Sequence, residues 1–85
     1  MMQKSYEVPF TEGFHARPAS QFIQLVKEFS GDVQIELKGK SVNGKSLIHI
    51  LTLGAKQGGQ LTVTLIGDEQ DAASIFTKLD ESFSA

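Results

Sequence analysis

The chain predicts an α+β fold, a two-layer sandwich in which an open sheet is covered by helices on a single side, in the order βαββαβα. Three observations predict it. Four segments alternate apolar and polar residues with a period of two, so each strand has one face to bury. Two longer segments repeat apolar residues at spacings of three and four, the stripe of a helix lying on a core, and a third, short segment is apolar nearly all round. The 85 residues leave room for one core only, so residues 1–85 are read as a single domain.

The elements follow in order. From about Lys4 to Pro9 the chain alternates weakly, with Tyr6 and Val8 on one face and Ser5 and Glu7 on the other. Pro9 has no N–H to donate and belongs near the strand's end. Thr11-Glu12-Gly13 turns the chain. A helix is expected over Ala16–Phe29, with Ala19, Phe22, Ile23, Val26 and Phe29 as its stripe and Ser30-Gly31 as its stop, the glycine supplying a left-handed cap. Val33, Ile35 and Leu37 alternate with Gln34 and Glu36 as the second strand. Lys38-Gly39-Lys40 turns tightly into a short return strand, Ser41–Asn43, which makes a hairpin. Asn43-Gly44 breaks the pattern. Ser46 suits a helix N-cap, because its hydroxyl can accept a free first-turn N–H. The helix that follows, Leu47–Leu53, ends at Gly54. Ile50 and Leu53 share one face; Leu47, Ile48 and Leu51 lie on another and are expected to stay partly exposed, as partner surfaces do. Leu61, Val63 and Leu65 mark the fourth strand, after the Gln57-Gly58-Gly59 turn. Asp68 caps the last helix, whose stripe is Ala72, Ile75, Phe76, Leu79 and Phe83, and Asp71 places negative charge in its first turn.

Composition narrows the function. Eight basic and ten acidic residues give a formal charge of −2, with no basic block for nucleic acid and no acidic tail. The first seven residues carry no apolar core and do not read as a signal peptide. Nowhere does an apolar run approach the roughly 18 residues that a membrane span needs, so a cytoplasmic protein is expected, independent of membranes. No cysteine is present, and the two histidines, His15 and His49, stand far apart without a carboxylate cluster near His15. No metal site and no cofactor are therefore expected.

The chemistry concentrates in Gly13-Phe14-His15-Ala16-Arg17-Pro18-Ala19-Ser20. Proline fits the first turn of a helix and little beyond it, so Pro18 puts His15 and Ala16 at the helix mouth. The first N–H groups of a helix lack intrahelical partners and point outward beside the positive end of its dipole, where a phosphate is well placed. Imidazole is a nucleophile that can carry a phosphoryl group, and the Arg17 guanidinium is a planar fork matched to phosphate oxygens. The residues therefore read as a histidine that is phosphorylated and holds the group at a helix N-terminus, with the Ala16 and Arg17 amides as phosphate-binding backbone. The plainer alternative is a turn or capping histidine beside a solvated arginine.

Gly-Phe-His-Ala-Arg-Pro-Ala resembles the signature of the HPr family, the histidine phosphocarrier proteins of the bacterial phosphotransferase system. The likeness extends over the whole chain, and a second family landmark, Ser46, falls in register with it. The resemblance implies antiparallel strands in the spatial order 1-4-2-3 with three helices on one face. It implies a carrier rather than an enzyme, phosphorylated at Nδ1 of His15 by enzyme I from phosphoenolpyruvate and discharged to sugar-specific enzyme IIA components. Its docking face would be framed by Phe14, Ser20, Gln21, Gln24 and Lys27 with Leu47, Ile48, His49, Leu51 and Thr52. In part of the family the serine matching Ser46 is phosphorylated by an HPr kinase/phosphorylase and then allows binding to a transcriptional regulator. A monomer is expected.

Three positions depart from the family pattern: Glu12 stands where asparagine is common, Phe14 where leucine is, and His49 where glycine or lysine is. They bear on partner choice. Two other readings stay open at this point. One is a carrier in a nitrogen-linked or dihydroxyacetone-kinase phosphorelay, with the same chemistry and other partners. The other is a non-phosphorylated interaction module that binds through the 46–53 helix.

Overall fold

The computed structural model describes residues 1–84. Its elements are β1 (Met2–Glu7), α1 (Ala16–Val26), β2 (Asp32–Leu37), β3 (Lys40–Asn43), α2 (Leu47–Thr52), β4 (Gln60–Ile66) and α3 (Glu69–Ser82). The sheet is antiparallel throughout, in the order β1-β4-β2-β3. β4 is central: it pairs Tyr6 with Leu61 on one side and Ile35 with Val63 on the other. The expected order and connectivity both hold.

Period two explains the layers. Tyr6, Val33, Ile35, Leu61, Val63 and Leu65 point into one apolar layer and are buried. Their neighbours Gln3, Ser5, Glu7, Gln34 and Glu36 face solvent. On that open side Gln3 donates from Nε2 to Thr64 Oγ1 at 2.9 Å, which satisfies the one polar side chain that the sheet buries there. The helices close the apolar side. α1 contributes Pro18, Ala19, Phe22 and Val26, and α3 contributes Ala72, Ile75, Phe76 and Leu79. Both N-caps of the later helices form as expected: Ser46 Oγ accepts from the His49 amide at 3.3 Å, and Asp68 Oδ1 from the Asp71 amide at 2.9 Å.

Two expectations about α1 are corrected. The helix ends at Val26 rather than Phe29, with Lys27 as its C-cap. The Phe29 amide then bonds to the Val26 carbonyl at 3.0 Å, a tighter turn that swings the Phe29 ring into the core. Gly31 is not a left-handed cap, since it is absent from the glycines with positive φ. It is a glycine because Ile66 crosses it: a Cβ there would lie 1.9 Å from the Ile66 carbonyl oxygen. β1 also starts earlier and ends earlier than expected, at Met2 and Glu7. Val8 still bonds across, its N–H donating to Gly59 and its carbonyl accepting from Gly58, both at 2.9 Å.

One polar cluster ties β1 to α3. Lys4 Nζ donates to both carboxylate oxygens of Asp80 at 2.7 Å, and the Tyr6 hydroxyl donates to Oδ1 at 2.7 Å. The Lys4 hydrogen bond first, and the Tyr6 hydrogen bond after it, hold the Asp80 carboxyl below the usual carboxylate range. Burial, followed by the hydrogen bond to Asp80 and its negative charge, pushes the Tyr6 phenol well above its usual value.

Candidate phosphoryl-acceptor site

The site begins with the backbone of a loop. The Gly13 amide donates to the Phe10 carbonyl at 2.9 Å, closing a turn, and Gly13 sits at φ +81, in the left-handed region that favours glycine. Space excludes a side chain as well: a Cβ on Gly13 would lie 2.5 Å from the Ala55 carbonyl oxygen. The same oxygen accepts from the Phe14 amide at 2.9 Å, so the segment after α2 fixes the loop before α1. The Phe14 ring is buried, edge-on to Phe22 at 5.9 Å and tilted beside Phe83 at 5.8 Å.

With Phe14 pinned below, His15 emerges at the surface as the N-cap of α1, its backbone extended and its imidazole making no cap hydrogen bond. Its carbonyl starts the helix by accepting from the Ala19 amide at 3.0 Å. Ala16 and Arg17 are the first helical residues, and their amides have no backbone acceptor among the described residues. Pro18 follows, buried and without an N–H to satisfy. No acidic residue lies in the first turn of α1, so its positive end is uncompensated by the helix's own side chains. Thr11, Glu12, His15 and Arg17 line one open depression. Neither Glu12 nor Arg17 has an ion-pair partner among the described residues.

An accessible imidazole and a guanidinium thus line one open depression at the head of a helix whose first two amides have no backbone acceptor among the described residues. Such a place holds an anion without entombing it. Among the described residues no group of three or more His, Cys, Asp or Glu side chains gathers as metal ligands.

Ser20, Gln21, Gln24 and Lys27 are exposed along α1. On α2, Ile50 is buried, with Leu53 just beyond the helix; Leu47 is half-buried, and Ile48, His49, Leu51 and Thr52 are exposed. Ile48 is 75% exposed and Leu51 40%, which is unusual for large apolar side chains and matches the split of faces read from the spacing. Ser46 is half-buried at the head of the helix. Phe14 is the correction: expected on the docking face, it is 4% exposed and belongs to the core. In the loop it alternates with His15, and only one of the two can point outward.

The sequence reading missed three contributors. Thr11 lines the depression, Ala55 holds the loop through its carbonyl, and Lys45 donates from Nζ to the Phe29 carbonyl, tying the entry of α2 to the end of α1. The last two act across long sequence separations through backbone oxygens, which leave no residue-type signature.

Comparison with known proteins shows the family. A family model described as the PTS HPr component phosphorylation site matches residues 2–84. The phosphocarrier protein HPr of Borreliella burgdorferi is 43% identical over 84 residues, spanning 98% of both chains. That of Buchnera aphidicola is 40% identical over 73 residues, spanning 86% of each. The crystal structure of a phosphocarrier protein HPr from Bacillus anthracis matches with a TM-score of 0.85 at 35% identity, covering 98% of this chain and 96% of that one. The chain therefore belongs to the HPr family, the phosphocarrier proteins of the phosphotransferase system.

Proposed function

We propose that His15 is the residue that carries the phosphoryl group, on Nδ1, receiving it from enzyme I and passing it to enzyme IIA components. The observation that carries the reading is the exposed imidazole at the head of α1 with the Ala16 and Arg17 amides unpaired beside it. In the step itself the lone pair of Nδ1 attacks phosphorus, while the bond from phosphorus to the donor group of enzyme I breaks and its electron pair leaves with that group. The proton on Nε2 of His15 stays, so a phosphoimidazolium results. Phosphoryl transfer depends on alignment and on neutralising the oxygens rather than on covalent help. Ala16, Arg17 and the α1 dipole supply part of that, and the open side of the depression leaves the rest to the partner. A carrier that must surrender its cargo is better served by such partial stabilisation than by a closed pocket.

Ser20, Gln21, Gln24 and Lys27 with Leu47, Ile48, His49, Leu51 and Thr52 form the surface on which partners dock. Ser46 is a site for a regulatory phosphate, to be placed by an HPr kinase/phosphorylase and read by a transcriptional regulator. The added charge would sit beside the exposed apolar side chains of α2 and disfavour docking there. The 85 residues act as one cytoplasmic, monomeric domain. No helix among the described residues is long and apolar enough to cross a membrane, in keeping with that reading.

The test is incubation with phosphoenolpyruvate and enzyme I. One acid-labile, alkali-stable phosphate per chain is expected, and none on His15→Ala. Label retained by that variant would refute the assignment. Transfer assays against enzyme I variants from sugar-linked and nitrogen-linked relays decide which relay the protein serves.

A further inference from the structure

Glu12 lies in the same open depression as His15 and Arg17, and no cation pairs with it among the described residues. Thr11, the remaining lining residue, is neutral. Phosphorylation of His15 would therefore bring a dianionic group into a space that already holds one carboxylate and one guanidinium. The carboxylate can act in two ways, and both have the same sign. Left alone, it repels the phosphoryl oxygens directly. Drawn to Arg17, it competes with those oxygens for the guanidinium fork. In either case the phosphorylated state is held less tightly than Arg17 and the helix N-terminus alone would hold it.

We propose that Glu12 is a repulsive counterweight that raises the transfer potential of the His15 phosphoryl group and speeds its departure. The proposal rests on the reading of His15 as the acceptor. It makes Glu12 a positioning residue of an electrostatic kind, acting on the group through space and through Arg17. Glu12 is exposed in a turn, so neutralising it leaves the core untouched.

The experiment measures the equilibrium between phosphoenolpyruvate and phosphorylated protein, with enzyme I as catalyst, for the wild type, Glu12→Gln and Glu12→Asp. The rate of onward transfer to an enzyme IIA is followed for the same three. Glu12→Gln is expected to shift the equilibrium about three- to tenfold towards the phosphorylated form, the scale of charge–charge repulsion in a solvent-exposed site, and to slow onward transfer. Glu12→Asp should behave like the wild type. The shift should shrink to about twofold or less near 1 M salt, where the screening length falls to about 3 Å. An unchanged equilibrium for Glu12→Gln at low salt, an equal shift for Glu12→Asp, or a shift indifferent to salt would each overturn the proposal. A wild-type protein that takes no label at all would instead sink the assignment of His15, which keeps the two failures apart.

Discussion

The Phe14 amide donates to the Ala55 carbonyl across 2.9 Å, and that oxygen also marks where a side chain on Gly13 would collide. One backbone acceptor thus governs both the entry to the site and the anchor beneath it. Gly13→Ala would add left-handed strain at φ +81 and a contact of 2.5 Å with backbone, which cannot rotate away as a side chain could. A stability loss of about 1–3 kcal/mol is expected. Phosphoryl acceptance should fall by more than stability alone explains, because the loop that aims His15 must move. Urea unfolding and the initial labelling rate with enzyme I measure the two separately. A variant that loses stability but labels at the wild-type rate would show that the loop does not aim His15.

Phe14 and Ile48 make a contrasting pair. Phe14 is 4% exposed within an aromatic cluster, so Phe14→Ala should cost about 3–5 kcal/mol, whereas Phe14→Leu fills most of the space and should cost about 1–1.5 kcal/mol with labelling intact. Ile48 is 75% exposed, and Ile48→Asp should leave stability within about 0.5 kcal/mol of wild type. If α2 is a docking surface, the same change should weaken partner affinity about tenfold or more, which titration calorimetry with an enzyme IIA would read. Unaltered affinity would remove Ile48 from the interface.

Alternation and helical spacing told which face of each element is buried, and the structure agrees from Tyr6 to Leu79. They say nothing of which strand lies beside which. The β1-β4-β2-β3 order came only through the family likeness, because a period of two is indifferent to neighbours. Pro18 placed the helix mouth, and with it His15, from steric rules alone. Both misplaced residues are governed from a distance. The family likeness puts Phe14 on the docking face and a local helix-stop rule makes Gly31 a cap, yet their roles are set by Ala55 and Ile66, distant in the chain and close in space.

Gly31 provides a direct test of that lesson. A methyl group there would lie 1.9 Å from the Ile66 carbonyl oxygen and 2.9 Å from the Phe29 ring, while one on Gly39 meets nothing within 4 Å. Gly39 nonetheless sits at φ +84 in the two-residue turn of the β2–β3 hairpin, beside Lys38 at φ +50. Gly39→Ala should therefore cost about 1 kcal/mol of backbone strain. Gly31→Ala must push the residue before β2 away from Ile66 at the end of β4 and should cost about 2–4 kcal/mol. A helix-cap role for Gly31 would predict equal costs, so urea midpoints for the two variants decide between the explanations.

The Lys4–Asp80–Tyr6 cluster predicts how stability depends on pH. Asp80 is held below the usual carboxylate range in the folded state, chiefly by its hydrogen bond from Lys4, so the unfolded chain takes up a proton there first as acid is added. Its contribution is present above the ordinary carboxylate range and is lost as pH falls through and below it. Tyr6 works at the other end. Its phenol is raised by burial and by Asp80, so the unfolded chain gives up that proton first, and the contribution present below pH ~10 is lost as pH rises beyond it. Asp80→Asn should flatten the acid limb of a plot of urea midpoint against pH. Tyr6→Phe should flatten the alkaline limb and leave most of the acid limb standing, because Lys4 still bonds both carboxylate oxygens. An acid limb unchanged in Asp80→Asn would place the acid sensitivity in other carboxylates of the chain.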